Sequence, residues 1–383
     1  MTVTGIICEY NPLHMGHKKQ LGTVRTLMGE NSGIVCLMSG NYVQRGAPAI
    51  VDKLCRAKAA VLCGADLVLE LPVTVSLSSA EGFAAGGVKI LAPFCDNLCF
   101  GAETADRKAL WETAECLLHE QFPAALRVQL DKGLSFPAAR QAALEQMGLD
   151  TAVLKNPNDI LAVEYCKAIL LQNASLEILP ICRQGDYHDN VPDRDNPSAT
   201  AVRKQMLSGE TWKTYVPKQA QVCFEGAAWH TLEAGERAIL ARLRTMCDEA
   251  FAAVPFGSEG LWRKLMHAVR SEATLEGILC AVKSKRYTRT RLDRMLMCAF
   301  LGITQKDMDT TPPYIRVLAF NDRGREILKQ ARKTGEFINI GQIQKNPYQK
   351  LEDRCSDLYG LFSVNAPENP GREAASRVFY HRQ

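Results

Sequence analysis

The chain has 383 residues, of which 46% are hydrophobic, so it is long enough to bury a large core and to form two domains. It contains no run of about 18 apolar residues, and no basic segment followed by an apolar one begins it, which predicts neither a membrane span nor a signal peptide. The 14 cysteines include no C-x-x-C pair. We therefore expect reduced thiols in a cytoplasmic protein rather than disulfides or a zinc site.

The net charge of +4 conceals a difference between the two parts of the chain. Residues 1–200 carry 17 basic and 22 acidic side chains, whereas residues 201–383 carry 29 basic and 20 acidic ones. A basic second half indicates binding to a polyanion.

The first chemical motif lies near the start of the sequence. Val3–Cys8 is an apolar run that predicts a β-strand, Asn11-Pro12 predicts a turn, and His14-Met15-Gly16-His17 stands where a helix should begin. A helix start offers unpaired N–H groups to an anion, and Gly16 lets the backbone approach it closely. His14 and His17 are three residues apart, so both can face one polyphosphate. H-x-G-H directly after a strand thus indicates phosphate chemistry at the carboxyl edge of a sheet.

Further apolar runs of strand length alternate with helical patterns along the first part of the chain. They are Gly33–Met38, Ala65–Leu71, Asn97–Gly101 and Leu176–Ile181. Runs that are apolar on both faces predict a parallel sheet covered by helices, so the fold class is α/β and Rossmann-like. The sequence has neither G-x-G-x-x-G after its first strand nor a G-x-x-x-x-G-K-[ST] motif, which argues against dinucleotide and P-loop chemistry.

A second phosphate-binding motif is expected after the strand near residue 180. Ser198-Ala199-Thr200-Ala201-Val202-Arg203 places hydroxyls at a helix start and a guanidinium one turn later. Ser198 and Thr200 could hold phosphate oxygens while Arg203 stabilises departing pyrophosphate. The alternative is an ordinary helix cap with a solvated arginine. Together, H-x-G-H and this motif resemble the nucleotidyltransferase superfamily, which implies attack on the α-phosphate of ATP.

Longer strings between these motifs are more specific. They include Met38-Ser39-Gly40-Asn41-Tyr42-Val43-Gln44-Arg45-Gly46, Phe100-Gly101-Ala102-Glu103, Asn158-Asp159-Ile160-Leu161, Tyr187-His188-Asp189 and Lys285-Arg286-Tyr287-Thr288. With Glu9-Tyr10-Asn11-Pro12, these strings resemble the bacterial tRNA(Met) cytidine acetate ligase family over most of the chain. The resemblance implies that acetate is activated as acetyl-adenylate by ATP, with Mg²⁺, and that the acetyl group passes to N4 of the wobble cytidine of elongator tRNA(Met).

The resemblance also implies a set of site residues. The catalytic residues would be His14, His17 and Arg203. The ATP site would comprise Ile7, Cys8, Glu9, Tyr10, Asn11, Pro12, Leu13, His14, Met15, Gly16, His17, Lys18, Lys19 and Gln20 with Gly101, Asn158 and Arg183, to which the second motif adds Ser198 and Thr200. Taken alone, Asn158 and Arg183 also fit a turn residue and a surface arginine, and Cys8 fits a core thiol better than a nucleophile.

The second part of the chain predicts an RNA-binding surface. We divide the chain into residues 1–220, which activate acetate with ATP, and a mainly helical basic domain at 221–383. Six cations cluster near one expected helix start, with Tyr287 among them to stack on a base: Lys283, Lys285, Arg286, Arg289, Arg291 and Arg294. A solvated helix face is the plain alternative here, and we also expect one for Lys53, Arg56 and Lys58.

Two other functions remain open at this point. The chain could be a small-molecule adenylyltransferase, or an RNA-binding protein whose nucleotide fold is catalytically silent. The size and charge of the second part of the chain argue against a small-molecule adenylyltransferase. The presence of His14, His17 and Arg203 together argues against a catalytically silent RNA-binding protein. No feature of the sequence requires a metal site, a membrane or an obligate protein partner.

Overall fold

The computed structural model describes residues 1–183, 194, 196–209, 211–284, 286–331, 337–338 and 346–382. The predicted contact residue Lys285 and the motif Tyr187-His188-Asp189 lie outside the described residues. The strands are β1 (Val3–Cys8), β2 (Gly33–Ser39), β3 (Tyr42–Val43), β4 (Ala47–Pro48), β5 (Leu67–Leu71), β6 (Asn97–Ala102), β7 (Glu177–Cys182), β8 (Ile315–Asn321), β9 (Phe337–Ile338) and β10 (Phe379–His381).

The α-helices of the described residues fall into two sets along the chain. Those of the first part are α1 (Met15–Met28), α2 (Lys53–Leu62), α3 (Val73–Ser76), α4 (Ala80–Leu91), α5 (Arg107–Leu118), α6 (Phe122–Asp131), α7 (Phe136–Gln146), α8 (Pro157–Gln172) and α9 (Ala199–Ser208). Those of the second part are α10 (Lys218–Phe224), α11 (Glu236–Arg244), α12 (Asp248–Ala252), α13 (Leu261–Ser271), α14 (Leu275–Val282), α15 (Arg289–Leu301), α16 (Gln305–Met308), α17 (Asp322–Ala331), α18 (Pro347–Tyr359) and α19 (Arg372–Ala375).

One sheet organises the first part of the chain. Its strand order is β10-β8-β5-β2-β1-β6-β7, with β9 paired to β8. The pairings from β5 through β2, β1 and β6 to β7 are parallel, and β8 runs antiparallel to β5. The chain moves outward from β1 to β2 and β5 and then returns to place β6 on the other side of β1. The carboxyl ends of β1 and β6 thus flank the switch point where open α/β sheets bind ligands.

The predicted α/β fold with a parallel sheet is confirmed, and each predicted apolar run contains a strand. The strands are buried because helices cover both faces of the sheet. One face packs against α4, α5 and α8 through residues such as Val88 and Leu110. The other packs against α1, α2, α9 and α10 through residues such as Leu21 and Phe224. Nearly continuous apolar strands are what burial on two faces requires.

The second part of the chain is mainly helical, with its own core around Ile239, Leu265 and Phe300. However, the chain returns to the sheet, because β8 pairs with β5 and β10 pairs with β8. Residues 315–321 and 379–381 therefore complete the sheet of the expected first domain, although the sequence-based division assigns them to the second. No helix among the described residues is both long and apolar enough to span a membrane.

Candidate active site

Two stacked histidines lie at the carboxyl end of β1, where α1 begins. The imidazole centroids of His14 and His17 are 3.7 Å apart, and the Tyr10 ring lies 4.9 Å from that of His17, tilted by 60°. His14 is the residue before the first helical turn, and its backbone N–H donates to Nδ1 of His17 at 3.3 Å. Nδ1 of His14 is buried and has no hydrogen-bond partner among the described residues. The pair is thus held by the helix start, with one ring nitrogen left for a ligand.

Both imidazoles are neutral at physiological pH. Burial lowers the pKa of His14 to about 3, and the charges of Arg183 and Arg203 contribute to that lowering. Burial, then His14 and Arg183, hold the pKa of His17 well below its usual range. The two rings therefore offer neutral N–H donors, while the positive charge facing them comes from the two arginines.

Gly16 makes room for this arrangement in a way that the sequence did not indicate. A Cβ atom at Gly16 would lie 3.1 Å from Cε1 and 3.2 Å from Nδ1 of His14. Both distances are shorter than ordinary van der Waals contact, so a side chain would push the ring aside. The glycine of H-x-G-H therefore seats an imidazole as well as opening the helix start.

Arg203 connects the second motif to the first. Its Nη1 donates to the carbonyl of Asn11 at 2.6 Å, and its Nη2 donates to Oγ1 of Thr200 at 3.1 Å. The Asn11 side chain in turn accepts the N–H of Ile50 at 2.8 Å. Oγ of Ser198 accepts the N–H of Ala201 at 3.2 Å, so it caps α9 as the plain alternative predicted. The Arg203 side chain therefore lies at the H-x-G-H turn, and the Ser198 hydroxyl serves as the N-terminal cap of α9.

Arg183 reaches the histidines from the end of β7. Its side chain lies along Gly101 of β6, where a Cβ would come within 3.0 Å of the Arg183 Cγ. Its backbone N–H donates to the Ala102 carbonyl at 2.9 Å. The absence of a side chain at Gly101 thus leaves space for the Arg183 side chain. Arg183 is exposed, and its positive charge lowers the pKa of both imidazoles.

Asn158 and Glu103 join the end of β6 to the start of α8. Nδ2 of Asn158 donates to Oε1 of Glu103 at 2.6 Å, and Oε2 of Glu103 accepts the N–H of Asp159 at 3.0 Å. In return Oδ1 of Asp159 accepts the N–H groups of Glu103 and Thr104 at 2.9 and 3.2 Å. Sequence reasoning missed Glu103 and Asp159, although both belong to the specific strings that contain Gly101 and Asn158. Their reciprocal bonds fix the second wall of the switch point.

The other residues predicted for the ATP site differ in whether their side chains are accessible to a ligand. Tyr10 and Leu13 are buried in the core, and burial raises the pKa of the Cys8 thiol well above its usual range, so Cys8 is no thiolate nucleophile. Lys18 donates to Oε1 of Gln219 at 3.2 Å, and Gln20 donates to Sγ of Cys99 at 3.8 Å. Tyr10, Leu13 and Cys8 therefore support the turn from within.

Arg56 donates hydrogen bonds to backbone carbonyls at the same edge of the sheet, although we expected it on a solvated helix face. That expectation is wrong, because its side chain is fully buried. Nε donates to the Val51 carbonyl at 2.8 Å, and Nη1 donates to the carbonyls of Glu9 and Ser39 at 2.6 and 3.2 Å. Nη2 also donates to the Gly40 carbonyl. The strand ends of β1 and β2 need donors for these carbonyls, and a guanidinium supplies several at once.

Lys53 is buried too, where it pairs with Glu70 at 2.7 Å and with Glu373 at 2.7 Å. The expectation of a solvated face was therefore also wrong for this residue. On the loop after β2, the Gln44 N–H donates to Oε1 of Glu9 at 2.8 Å. The segment Ser39–Arg45 thus lies against the end of β1, beside the H-x-G-H turn.

The predicted RNA-binding cluster already has partners within the protein. Arg286 pairs with Glu259, and Arg289 pairs with both Glu276 and Asp293. Arg291 donates to the Phe256 carbonyl at 2.8 Å and lies 5.1 Å from the ring of Tyr287, which is 5% exposed. Tyr287 is therefore packed in the helical core and not free to stack on a base, which corrects that expectation.

The remaining cations of this cluster differ in position. Nη1 of Arg294 donates to the Gln44 carbonyl at 3.4 Å, so this residue supports the loop beside the histidines. Lys283 is exposed at the end of α14. Among the described residues, no group of three or more His, Cys, Asp or Glu side chains is arranged to hold a metal ion.

This geometry is that of an enzyme acting on a nucleotide, and comparison with known proteins agrees. The HIGH nucleotidyl transferase family matches residues 1–373, so the chain belongs to that family. Within it, the tRNA(Met) cytidine acetate ligase of Acetivibrio thermocellus is 35% identical to the chain over 99% of this chain and 98% of the relative. That of Alkaliphilus metalliredigens is 34% identical over 100% and 99%. The chain is a member of the tRNA(Met) cytidine acetate ligase family.

Solved structures show the same fold from end to end. The apo crystal structure of Thermotoga maritima TmcAL matches with a TM-score of 0.90 at 29% identity, covering the whole of both chains. The crystal structure of the same protein bound with alpha-thio ATP matches with a TM-score of 0.87 at 28% identity, again over both full chains. The family resemblance read from the sequence is confirmed.

Proposed function

We propose that this protein uses ATP to activate acetate and transfers the acetyl group to N4 of the wobble cytidine of elongator tRNA(Met). One observation carries the proposal: two stacked imidazoles lie at the switch point of the sheet, and Arg203 bonds to the turn that holds them. The names of the relatives support the substrate, and the alpha-thio ATP bound to a structural neighbour supports the nucleotide. Because ATP and tRNA are its substrates, we expect the reaction to take place in the cytoplasm.

In the first step an acetate oxygen attacks the α-phosphorus of ATP. The bond from that phosphorus to the bridging oxygen breaks, and pyrophosphate leaves with the electron pair. The neutral N–H groups of His14 and His17 donate to the α-phosphate oxygens, while Arg203 and Arg183 stabilise the charge on the departing group.

In the second step the exocyclic N4 of cytidine attacks the carbonyl carbon of acetyl-adenylate. The carbon–oxygen bond to AMP breaks, AMP leaves with that oxygen, and the nitrogen loses one proton. Acetate alone is a poor acyl donor, whereas AMP is a good leaving group. No enzyme nucleophile is required, in agreement with the neutral thiol of Cys8.

For the Mg²⁺ expected with ATP, the described residues offer no group of three or more His, Cys, Asp or Glu side chains. The acidic side chains at this edge of the sheet already have partners: Glu9 accepts the N–H of Gln44, and Glu103 accepts from Asn158 and Asp159. The ion would therefore enter on the ATP phosphates, as part of the co-substrate.

For the RNA we propose contacts from the exposed cations Lys283, Arg286 and Arg289 near the start of α15. The side chains of Arg286 and Arg289 are 66% and 40% exposed. Exposed ion pairs are worth about 0–1 kcal/mol, so phosphate can replace Glu259 at Arg286 at little cost. Arg289 keeps its pair with Asp293 when phosphate replaces Glu276. Arg291 and Arg294 act instead as supports, because their guanidinium groups bond to backbone carbonyls of the protein.

The test is to incubate the protein with ATP, Mg²⁺ and radiolabelled acetate, with and without bacterial tRNA, and to analyse the nucleosides. We expect label in N4-acetylcytidine only when ATP and tRNA are both present. His17→Ala should abolish this label while tRNA affinity stays within about twofold. His267→Ala is the matched control, because His267 is exposed on α13 and should change neither quantity.

Formation of AMP and pyrophosphate without labelled RNA would place the acceptor among other molecules. Equal loss of tRNA binding and of acetylation in His17→Ala would contradict the separate roles of the two regions.

A further inference from the structure

A groove of about 380 Å³ lies beside α1, on the side that faces the end of α2 and the end of β8. Its lining includes Lys18, Gly22, Arg25, Cys63, Asp66 and Arg323. Lys18, Gly22 and Arg25 are spaced four and three residues apart, so they share one face of the helix. Seven residues of helix correspond to about 10 Å, which gives the groove room for more than one phosphate along its length.

The groove carries three cations and one carboxylate. Asp66 is 1% exposed, and its oxygens accept from Arg25 at 2.8 Å, from the Ile34 N–H at 2.8 Å and from Asn321 at 2.9 Å. The guanidinium of Arg323 lies 3.6 Å from the same carboxylate, and its side chain is 29% exposed. Asp66 therefore anchors the floor, and one carboxylate cannot neutralise all the positive charge around it.

Lys18 extends this charge toward the active site. Its described polar contact is the neutral amide of Gln219, at 3.2 Å. Burial raises the pKa of the Cys63 thiol to about 12, and the Lys18 ammonium acts against that rise, so this charge faces the groove. Lys18 follows His17 directly in α1. Lys18 is therefore the lining residue nearest to the histidines along α1, while Asp66 marks the other end of the groove, at the amino ends of β2 and β5.

The cations near the start of α15 and Lys18 of the groove differ in their partners, and this difference favours the groove as a further RNA contact. Arg286 and Arg289 each face a carboxylate of an exposed glutamate. In the groove, Lys18 faces an amide, and a strand leaving a base beside His17 would meet Lys18 first. Phosphate contacts with lysine and arginine supply much of the affinity of proteins for nucleic acids.

We propose that this groove binds backbone phosphates of the RNA strand next to the acceptor nucleotide. The inference rests on the proposed function, because it places the acceptor base at the histidines. In this arrangement the base occupies the switch point while its neighbouring phosphates pass Lys18 and Arg323, and Arg25 supports the groove through its bonds to Asp66 and to the carbonyls of Ser32 and Gly64.

Gly22 allows a sharp test, since a Cβ there would meet nothing within 4 Å. Gly22→Glu places a carboxylate one turn from both Lys18 and Arg25, and Gly22→Gln is its uncharged match. Both residues favour a helix over glycine, so the fold is retained. We would measure the affinity of each variant for bulk bacterial tRNA by fluorescence anisotropy at several salt concentrations.

We expect Gly22→Glu to bind tRNA about tenfold more weakly, with a salt slope smaller by about 0.7–0.9 for each phosphate that the groove no longer binds. Gly22→Gln should stay within about threefold of wild type. Arg323→Gln should weaken binding in the same direction. Wild-type affinity in Gly22→Glu, or equal weakening by Gln and Glu, would contradict phosphate recognition here.

Acetate-dependent ATP–pyrophosphate exchange without RNA separates the two proposals. It should be unchanged in Gly22→Glu, and a parallel loss would overturn the inference by assigning the effect to the ATP site. Failure of the wild-type protein to acetylate tRNA that it binds would instead refute the proposed function. The proposal that the groove binds RNA phosphates is tested by the tRNA affinities of the variants alone.

Discussion

At the scale of single residues, the proposed site is built around two buried, stacked imidazoles, those of His14 and His17. Burial and the arginines lower the pKa of His14 to about 3. An unfolded histidine titrates near pH 6.5, so unfolding takes up protons below that pH. The contribution of His14 to stability is therefore complete above about pH 6.5 and is lost as the pH falls toward 3. The same sign holds for His17.

Gly16→Ala tests whether the glycine positions the His14 ring. The added methyl lies 3.1 Å from the ring, which must shift by a few tenths of an ångström. We expect acetate-dependent ATP–pyrophosphate exchange to fall by about tenfold, because small misplacements of catalytic groups are costly. The melting temperature should stay constant or rise, since alanine favours a helix over glycine.

The matched control is Gly22→Ala in the same helix, where the methyl meets nothing within 4 Å. Exchange without RNA should remain within about twofold of wild type. Equal activity in both variants would show that Gly16 does not position the ring.

At the scale of elements, the sequence predicted strands and helix starts better than the partners of charged side chains. The apolar runs located β1, β2, β5, β6 and β7, because two-sided burial leaves a clear pattern. The pattern of α2 gave no sign that Lys53 and Arg56 point inward. Their partners are the Glu70 carboxylate and the carbonyls at the ends of β1 and β2, which only the folded sheet assembles.

Arg56→Lys tests whether α2 ties these strand ends together. An ammonium cannot reach all the carbonyls that the guanidinium satisfies, and each buried acceptor left without a donor costs about 1–3 kcal/mol. We expect the free energy of unfolding, measured with denaturant, to fall by about that amount or more. Lys58→Gln on the same helix should cost less than about 1 kcal/mol, since the contact that Lys58 makes is with the ring of Phe379, at 5.3 Å from its centroid. A decrease no larger than in Lys58→Gln would contradict the role of Arg56.

At the scale of the whole molecule, residues far apart in sequence meet in one buried ionic cluster. Lys53 and Arg316 face the carboxylates of Glu70 and Glu373, and all four side chains are at most 5% exposed. Glu352 of α18 lies nearby and accepts the Val73 N–H at 3.0 Å. The sequence indicated a second, helical part, but it could not show that β8 and β10 return to the sheet. Such pairings between distant segments leave no local pattern.

Glu352→Gln tests the electrostatics of this cluster. Burial, then Glu70, raises the pKa of Glu352 to about 7. Because this pKa lies above that of the unfolded chain, the contribution of Glu352 to stability is complete below about pH 4.5 and is lost as the pH rises through 7. The glutamine side chain keeps an acceptor for the Val73 N–H and cannot ionise. We therefore expect the difference in melting temperature between the variant and wild type to increase by about 2–4 °C as the pH rises from 5 to 8.

Glu326→Gln, on an exposed position of α17, should show no such gain. A constant difference in melting temperature between Glu352→Gln and wild type across this pH range would contradict the shifted pKa.

We propose that acetate is activated by direct attack on the α-phosphorus of ATP at His14 and His17. The measurement that tests it most directly follows the oxygen atoms of acetate labelled with ¹⁸O during turnover with ATP and tRNA. Direct attack should place one ¹⁸O atom in each AMP released, because the attacking oxygen stays on phosphorus when the acetyl group leaves. AMP without ¹⁸O, or label recovered in inorganic phosphate together with ADP, would contradict it.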